Sequence, residues 1–182
     1  MINSLKKLKS APITYFFLRV GAICIALQLF YDFFLLPNGK TDAFLCRSGA
    51  FSGAFLLNIL GWEANCWGSI LAVEGYGAVE IINDCNGLIL MGLYSSFILA
   101  YPAKITLKTG FTILGIILIY ISNIFRIMGF ALVNVYIPNY WDIFHEFSAF
   151  IFLYPVILIL WYYLTKISGG DDILSPSKLS AT

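Results

Sequence analysis

Charge is what this chain has least of. Of its 182 residues only 12% are Asp, Glu, Lys or Arg, whereas 60% are apolar and 17% aromatic. A soluble domain carries about 25% charged residues, so the composition places this chain in a membrane. The apolar stretches do not alternate with polar residues, which excludes the spans of a β-barrel. No basic stripe interleaved with aromatics is present and the net charge is only +1, so nucleic acid is not an expected partner. The four cysteines, Cys24, Cys46, Cys66 and Cys85, form no CxxC pair, which argues against a zinc site or a thioredoxin-like dithiol. GxSxG, HExxH and Walker-type loops are missing as well, which argues against serine-elbow, zincin and nucleotide chemistry. Nothing calls for a metal or any other cofactor. A cleavable signal peptide is not expected either: Lys6, Lys7 and Lys9 precede an apolar run too long for one, with no small-x-small cut after it.

What remains is a series of long apolar runs. A helix needs about 20 apolar residues to cross roughly 30 Å of hydrocarbon, and several runs approach or exceed that length. The expected fold is an all-α polytopic membrane protein of about four to five transmembrane or interfacial helices. Residues 1–166 form one integral membrane domain, and 167–182 a loose cytoplasmic tail rich in Gly, Ser and Pro. Spans are expected over about 13–36, 85–102, 110–136 and 147–164. Residues 43–61 are interrupted by Arg47, Ser48, Ser52 and Asn58, while Phe44, Phe51, Phe55 and Ile59 recur at near-helical spacing. That pattern fits a marginal span or a helix lying in the interface. Residues 62–84 are the most polar stretch, and Ile70–Val73 and Ala78–Ile82 flank Gly75-Tyr76-Gly77 as a small hairpin.

Charge placement orients the helices. Lys104, Lys108 and Lys166 mark one side; Glu74, Glu80, Asp84, Asp142 and Glu146 mark the other. The basic side is expected in the cytoplasm, as is the N-terminus with its lysines. These two assignments agree only if 43–61 does not cross, so that segment is read as interfacial or re-entrant, and the hairpin is extracytoplasmic.

This orientation brings three unusual side chains to one level. Cys85, in Asn83-Asp84-Cys85-Asn86-Gly87-Leu88, stands where a polar segment meets a long apolar helix, a place where helix N-terminal amides favour thiolate. Arg126 lies about 16 residues past Gly110, roughly 24 Å along the helix at 1.5 Å per residue. A guanidinium at such depth costs several kcal/mol and usually faces a protein interior or a watery cavity. Ser122 and Asn123 share its face. His145 opens the last span, and an imidazole, titrating near 6.5 when unperturbed, suits proton transfer. A thiol, a fixed cation and an imidazole are the set required for acyl transfer. The plainer readings are a packed thiol, an outward-reaching arginine and an interfacial histidine. Cys24 reads as packing, Cys46 and Cys66 as outer-face thiols, and Glu80, Asp84 and Glu146 as solvated rim charge.

At these residues the chain resembles the exosortase/archaeosortase family of membrane cysteine transpeptidases. The resemblance rests on Cys85-Asn86-Gly87-Leu88, on Asn123-Ile124-Phe125-Arg126-Ile127, and on Phe144-His145 leading into the last span. It covers about residues 70–165. The chain is shorter, with fewer upstream spans, than larger members. The resemblance implies a membrane-embedded cysteine protease/transpeptidase of the cell (inner/cytoplasmic) membrane, with its site at the extracytoplasmic face. Cys85, Arg126 and His145 would be catalytic, as nucleophile, oxyanion stabiliser and proton shuttle, and Asn86, Gly87 and Asn123 would support them. The implied partners, besides the lipid bilayer, are exported protein substrates with a C-terminal Pro-containing motif, a transmembrane helix and a basic tail. Two other readings fit the same residues: a non-enzymatic component of an export or polysaccharide assembly system with a structural Arg/His network, and a thiol redox protein pairing Cys85 with Cys46 or Cys66.

Overall fold

A computed structural model describes residues 12–169; the lysine-bearing start of the chain and the tail from residue 170 onward lie outside the described residues. Helix α1 (Pro12–Phe30) opens with proline, whose missing N–H costs nothing in a first turn. It continues through a π-helical turn, Tyr31–Leu35, and a short turn, Leu36–Asn38. Gly39, at φ 63°, ends it and lets α2 (Lys40–Ile59) start at once. Three antiparallel strands follow, β1 (Ala64–Trp67), β2 (Ile70–Val73) and β3 (Gly77–Glu80), in the order β1-β2-β3. A three-residue 3-10 turn, Asn83–Cys85, leads to α3 (Leu88–Ala100), then α4 (Ile105–Tyr136), α5 (Trp141–Phe152) and α6 (Tyr154–Ile167).

Thr14–Asn38, Ile105–Tyr136 and Pro138–Ile167 are each long and apolar enough to cross a membrane. At 13 residues α3 is apolar but only about 20 Å long. The last apolar stretch is two helices, because Leu153 breaks the run and Pro155 sits in the first turn of α6. The sheet has one strand more than the expected hairpin. Asn65-Cys66-Trp67 carries no β-branched residue, and its strand forms because β2 offers it a partner in register, Cys66 opposite Leu71. Asn58 also clamps it, donating to the Ala64 carbonyl at 2.7 Å and accepting from the Ala64 N–H at 2.9 Å.

Packing is reversed relative to a water-soluble protein. The large side chains Phe44, Phe51, Phe55 and Ile59 of α2 point outward. Its buried face is small: Cys46, Gly49, Ala50, Gly53, Ala54 and Leu57. A Cβ on Gly49 would stand 2.7 Å from Ile127 Cδ1 on α4, so these glycines set how closely the two helices approach, as small residues do between membrane helices. Many more large apolar side chains on α1, α4 and α6 are exposed in the same way, a surface that suits lipid and not water.

There are two apolar cores, and α4 runs through both. One joins α2, the sheet and the last turns of α4 around Leu57, Leu71, Ile127 and Phe130. The other joins α1, α3, the middle of α4 and α6 around Tyr94, Ile98, Ile119, Ile157 and Leu164. The 3-10 turn that carries Cys85 lies against the first core.

Candidate functional site

The turn at Cys85 is fastened on two sides. From α4, Asn123 Nδ2 donates to the Cys85 carbonyl at 2.9 Å. From α2, Asp42 Oδ1 accepts from Asn86 Nδ2 at 2.6 Å, and Tyr31 in the π-helical turn donates to the same oxygen at 3.3 Å. The Asn86 Oδ1 in turn accepts from the Leu88 N–H at 2.8 Å, capping the start of α3. Gly87 holds φ 83°, a left-handed conformation that glycine adopts without steric cost, and it lies beside Asn123.

Between these fastenings the Cys85 Sγ lies 3.1 Å from His145 Nε2 on α5. Cys85 is 3% exposed and Arg126 6% exposed, so the guanidinium does not reach outward to the membrane surface. Arg126 Nε donates to Ser148 Oγ at 2.8 Å, and Nη1 to Asn123 Oδ1 at 3.4 Å. Ser148 Oγ donates on to the His145 carbonyl at 3.1 Å. The cation also stacks on Phe130, with Cζ 5.0 Å from the ring centroid. A serine thus ties the arginine to the helix that carries the histidine. Ser122, expected on the arginine's face, bonds instead to the Phe152 carbonyl.

The electrostatics of the thiol differ from the expectation of a helix-stabilised thiolate. The first residue of α3 is Leu88, with Gly87 as its cap, so Cys85 stands before the amides that carry the partial charge. Burial pushes the Cys85 thiol up from its ordinary range; the neighbouring Arg126 guanidinium pulls it down, and Asp84 adds to the upward push. Burial wins, so the thiol favours its protonated form.

Glu80, Asp84 and Glu146 are exposed. Cys24, Cys46, Cys66 and Cys85 are all free thiols, and Cys46 Sγ donates to Asn83 Oδ1 at 4.0 Å. Sequence reasoning missed Asp42, Ser148, Phe130 and Trp141. Asp42 had one available signal, an acid in the first turn of an apolar helix, and its meaning depends wholly on Asn86 arriving from another part of the chain.

A helical bundle with lipid-suited outer faces, holding a buried guanidinium and a buried thiol with an imidazole beside the sulfur, is a polytopic membrane protein built around a polar cluster. Residues 12–162 match the protein-family model of the transmembrane exosortases, and the chain belongs to that family. It is also 30% identical over 98 residues to a probable archaeosortase D of Methanocaldococcus jannaschii; the matched stretch covers 52% of this chain and 62%, less than two thirds, of that protein's own length. No solved structure matches the chain.

Proposed function

We propose that this chain is a cysteine protease/transpeptidase of the cell membrane that cleaves a C-terminal sorting signal from exported proteins through a thioester at Cys85. The observation that carries the reading is the 3.1 Å approach of Cys85 Sγ to His145 Nε2. The Arg126 guanidinium beside the thiol is the second support. His145 takes the thiol proton as sulfur attacks the scissile carbonyl. Arg126, held by Ser148 and Asn123, offers its remaining N–H groups to the oxyanion. The tetrahedral adduct collapses as His145 returns the proton to the departing amine, leaving the acyl thioester. His145 then deprotonates the acceptor, water or an amine, whose attack regenerates the thiol.

The membrane arrangement belongs to the same reading. The site lies at the extracytoplasmic face, the lysine-marked ends of α3 and α4 in the cytoplasm, and α2 in the outer interface. In support of that placement of α2, its first turn reaches the Cys85 turn through Asp42, and its last turn reaches β1 through Asn58. Just beyond it Trp62 packs edge-on against Tyr136, at the end of α4. Substrates are exported proteins with a Pro-containing motif, a transmembrane helix and a basic tail.

The test is co-expression with a tailed substrate. Cys85→Ala abolishes processing, and Arg126→Ala lowers it by about 10²–10³-fold, the usual loss on removing an oxyanion donor. A competing structural role for the buried Arg126–Ser148–Asn123 network predicts the opposite. In that case Cys85→Ala leaves processing unchanged, and Arg126→Lys retains function.

A further inference from the structure

Two pairs of residues, each one helical turn apart, face each other where α4 meets α5. Arg126 and Phe130 stand on α4, and Trp141 and His145 on α5. The imidazole lies against both aromatic rings. Its centroid is 5.4 Å from Phe130 with planes 29° apart, and 6.2 Å from Trp141 with planes 25° apart. Phe130 and Trp141 are themselves 5.5 Å apart, so the three rings form a triangle. Phe130 is fully buried, and Gly129 beside it makes room for Phe144, whose Cζ would stand 2.8 Å from a Cβ at that position.

What is missing from this arrangement is the usual third member. In nucleophile–histidine pairs a carboxylate, amide or carbonyl commonly orients the far ring nitrogen. Among the described residues the hydrogen-bond partner of the His145 ring is Cys85, through Nε2; none accepts from Nδ1. The charged and titratable groups on the segments packed here are Cys85 and Asp84 on the nucleophile turn, Arg126 on α4, and Asp142 and Glu146 on α5 itself. The short turn before α5 adds Tyr140. Asp84, Asp142, Glu146 and Tyr140 are exposed.

We propose that Phe130 and Trp141 are positioning residues for His145: their faces replace an orienting carboxylate and stabilise the imidazolium formed when Cys85 gives up its proton. The inference rests on the reading of Cys85 as nucleophile and His145 as its base. In the step concerned the S–H bond of Cys85 breaks and an N–H bond forms at Nε2, leaving a thiolate next to Arg126 and an imidazolium against two rings. An aromatic face attracts a cation and does much less for a neutral imidazole, so the rings favour the charge-separated state over the neutral one. Phe130 serves both cations, taking the guanidinium and the imidazolium, which would otherwise only repel each other.

The experiment is alkylation of Cys85 by iodoacetamide, followed site by site with peptide mass spectrometry, in the full chain in proteoliposomes from roughly pH 5 to 10. Wild type is expected to react at neutral pH, with a limb that His145→Ala removes. Phe130→Leu lowers the neutral-pH rate about tenfold, the scale of one desolvated cation–π contact, and Trp141→Leu, whose half-buried ring stands 6.2 Å from the imidazole, about threefold. Trp141→Phe and Trp141→Tyr, which keep a face, retain the wild-type profile. Trp141 is half-buried, so if Phe130→Leu fails to fold, the Trp141 variants decide alone. The proposal is overturned if Trp141→Leu keeps the wild-type profile, or if Trp141→Phe and Trp141→Tyr lose it as fully as the leucine variant. If wild type and His145→Ala have the same profile, the thiol–imidazole pair fails, and the proposed function falls with it.

Discussion

At the scale of residues, burial is the chief influence on the proton of the Cys85 thiol. A thiol pushed up from its ordinary range is mostly protonated at neutral pH, and raising the pH is what generates thiolate. In the proposed mechanism His145 accepts that proton; without it only bulk base remains. In His145→Ala, therefore, alkylation of Cys85 should climb about tenfold per pH unit through neutrality and level off only above the usual thiol range near 8.5. A plateau at or below neutral pH would contradict this. Asp42 makes a second prediction. Its Oδ1 takes the bond from Asn86, while its Oδ2 is buried without a partner. Asp42→Ala strands the Asn86 amide and should cost about 1–3 kcal/mol, read as a lower melting temperature in detergent. Asp42→Asn keeps an acceptor for Asn86 and should cost less. Neither effect was legible in the sequence, because Asp42 and Asn86 lie 44 positions apart and no local pattern couples them.

At the scale of elements, α4 organises the molecule. It lends one face to the sheet and α2 and others to α3, α5 and α6, and it carries both Asn123 and Arg126. Its contact with α3 is the tightest. The Tyr94 ring crosses directly over Gly115, where a Cβ would fall 2.0 Å from Cε1, and its hydroxyl donates to the Phe111 carbonyl at 2.7 Å. Gly115→Ala should therefore destabilise by about 1–3 kcal/mol through overpacking, whereas Gly110→Ala, with nothing within 4 Å of the new Cβ, should be neutral or slightly stabilising. Thermal melts of the two variants in the same detergent check this, and equal shifts would refute it. The long apolar helices were visible in the sequence because length and hydropathy need no partner. Strand β1 was hidden because its pairing with β2 supplies what its residue types lack. The aromatic stripe of α2 was legible as a pattern, but which side of the helix met the protein depended on the small residues opposite it.

At the scale of the whole molecule, orientation in the bilayer is the remaining quantity. The turns of the sheet and the Cys85 turn lie at one end, and the lysines at Lys104 and Lys108 at the start of α4. Ser69→Cys should be labelled from outside intact cells by an impermeant maleimide, and Lys104→Cys only after permeabilisation. Labelling in the reverse order would turn the protein over and remove an extracytoplasmic site from consideration.

Membrane residence and the helical class follow from composition alone, since bilayer thickness and the need to satisfy every backbone hydrogen bond leave an apolar chain few alternatives. The shortlist of Cys85, Arg126 and His145 was legible in the sequence too, though from where charge placement sets the three along their helices and not from composition. Only the tertiary structure decided that the sulfur stands within 3.1 Å of the imidazole, that Ser148 and Asn123 hold the guanidinium, and that two aromatic rings flank the histidine. The physical reason is that a hydrogen bond or a ring contact between distant segments depends on displacements of about an ångström, and these come from how α4 packs against its neighbours, which no single stretch of sequence contains.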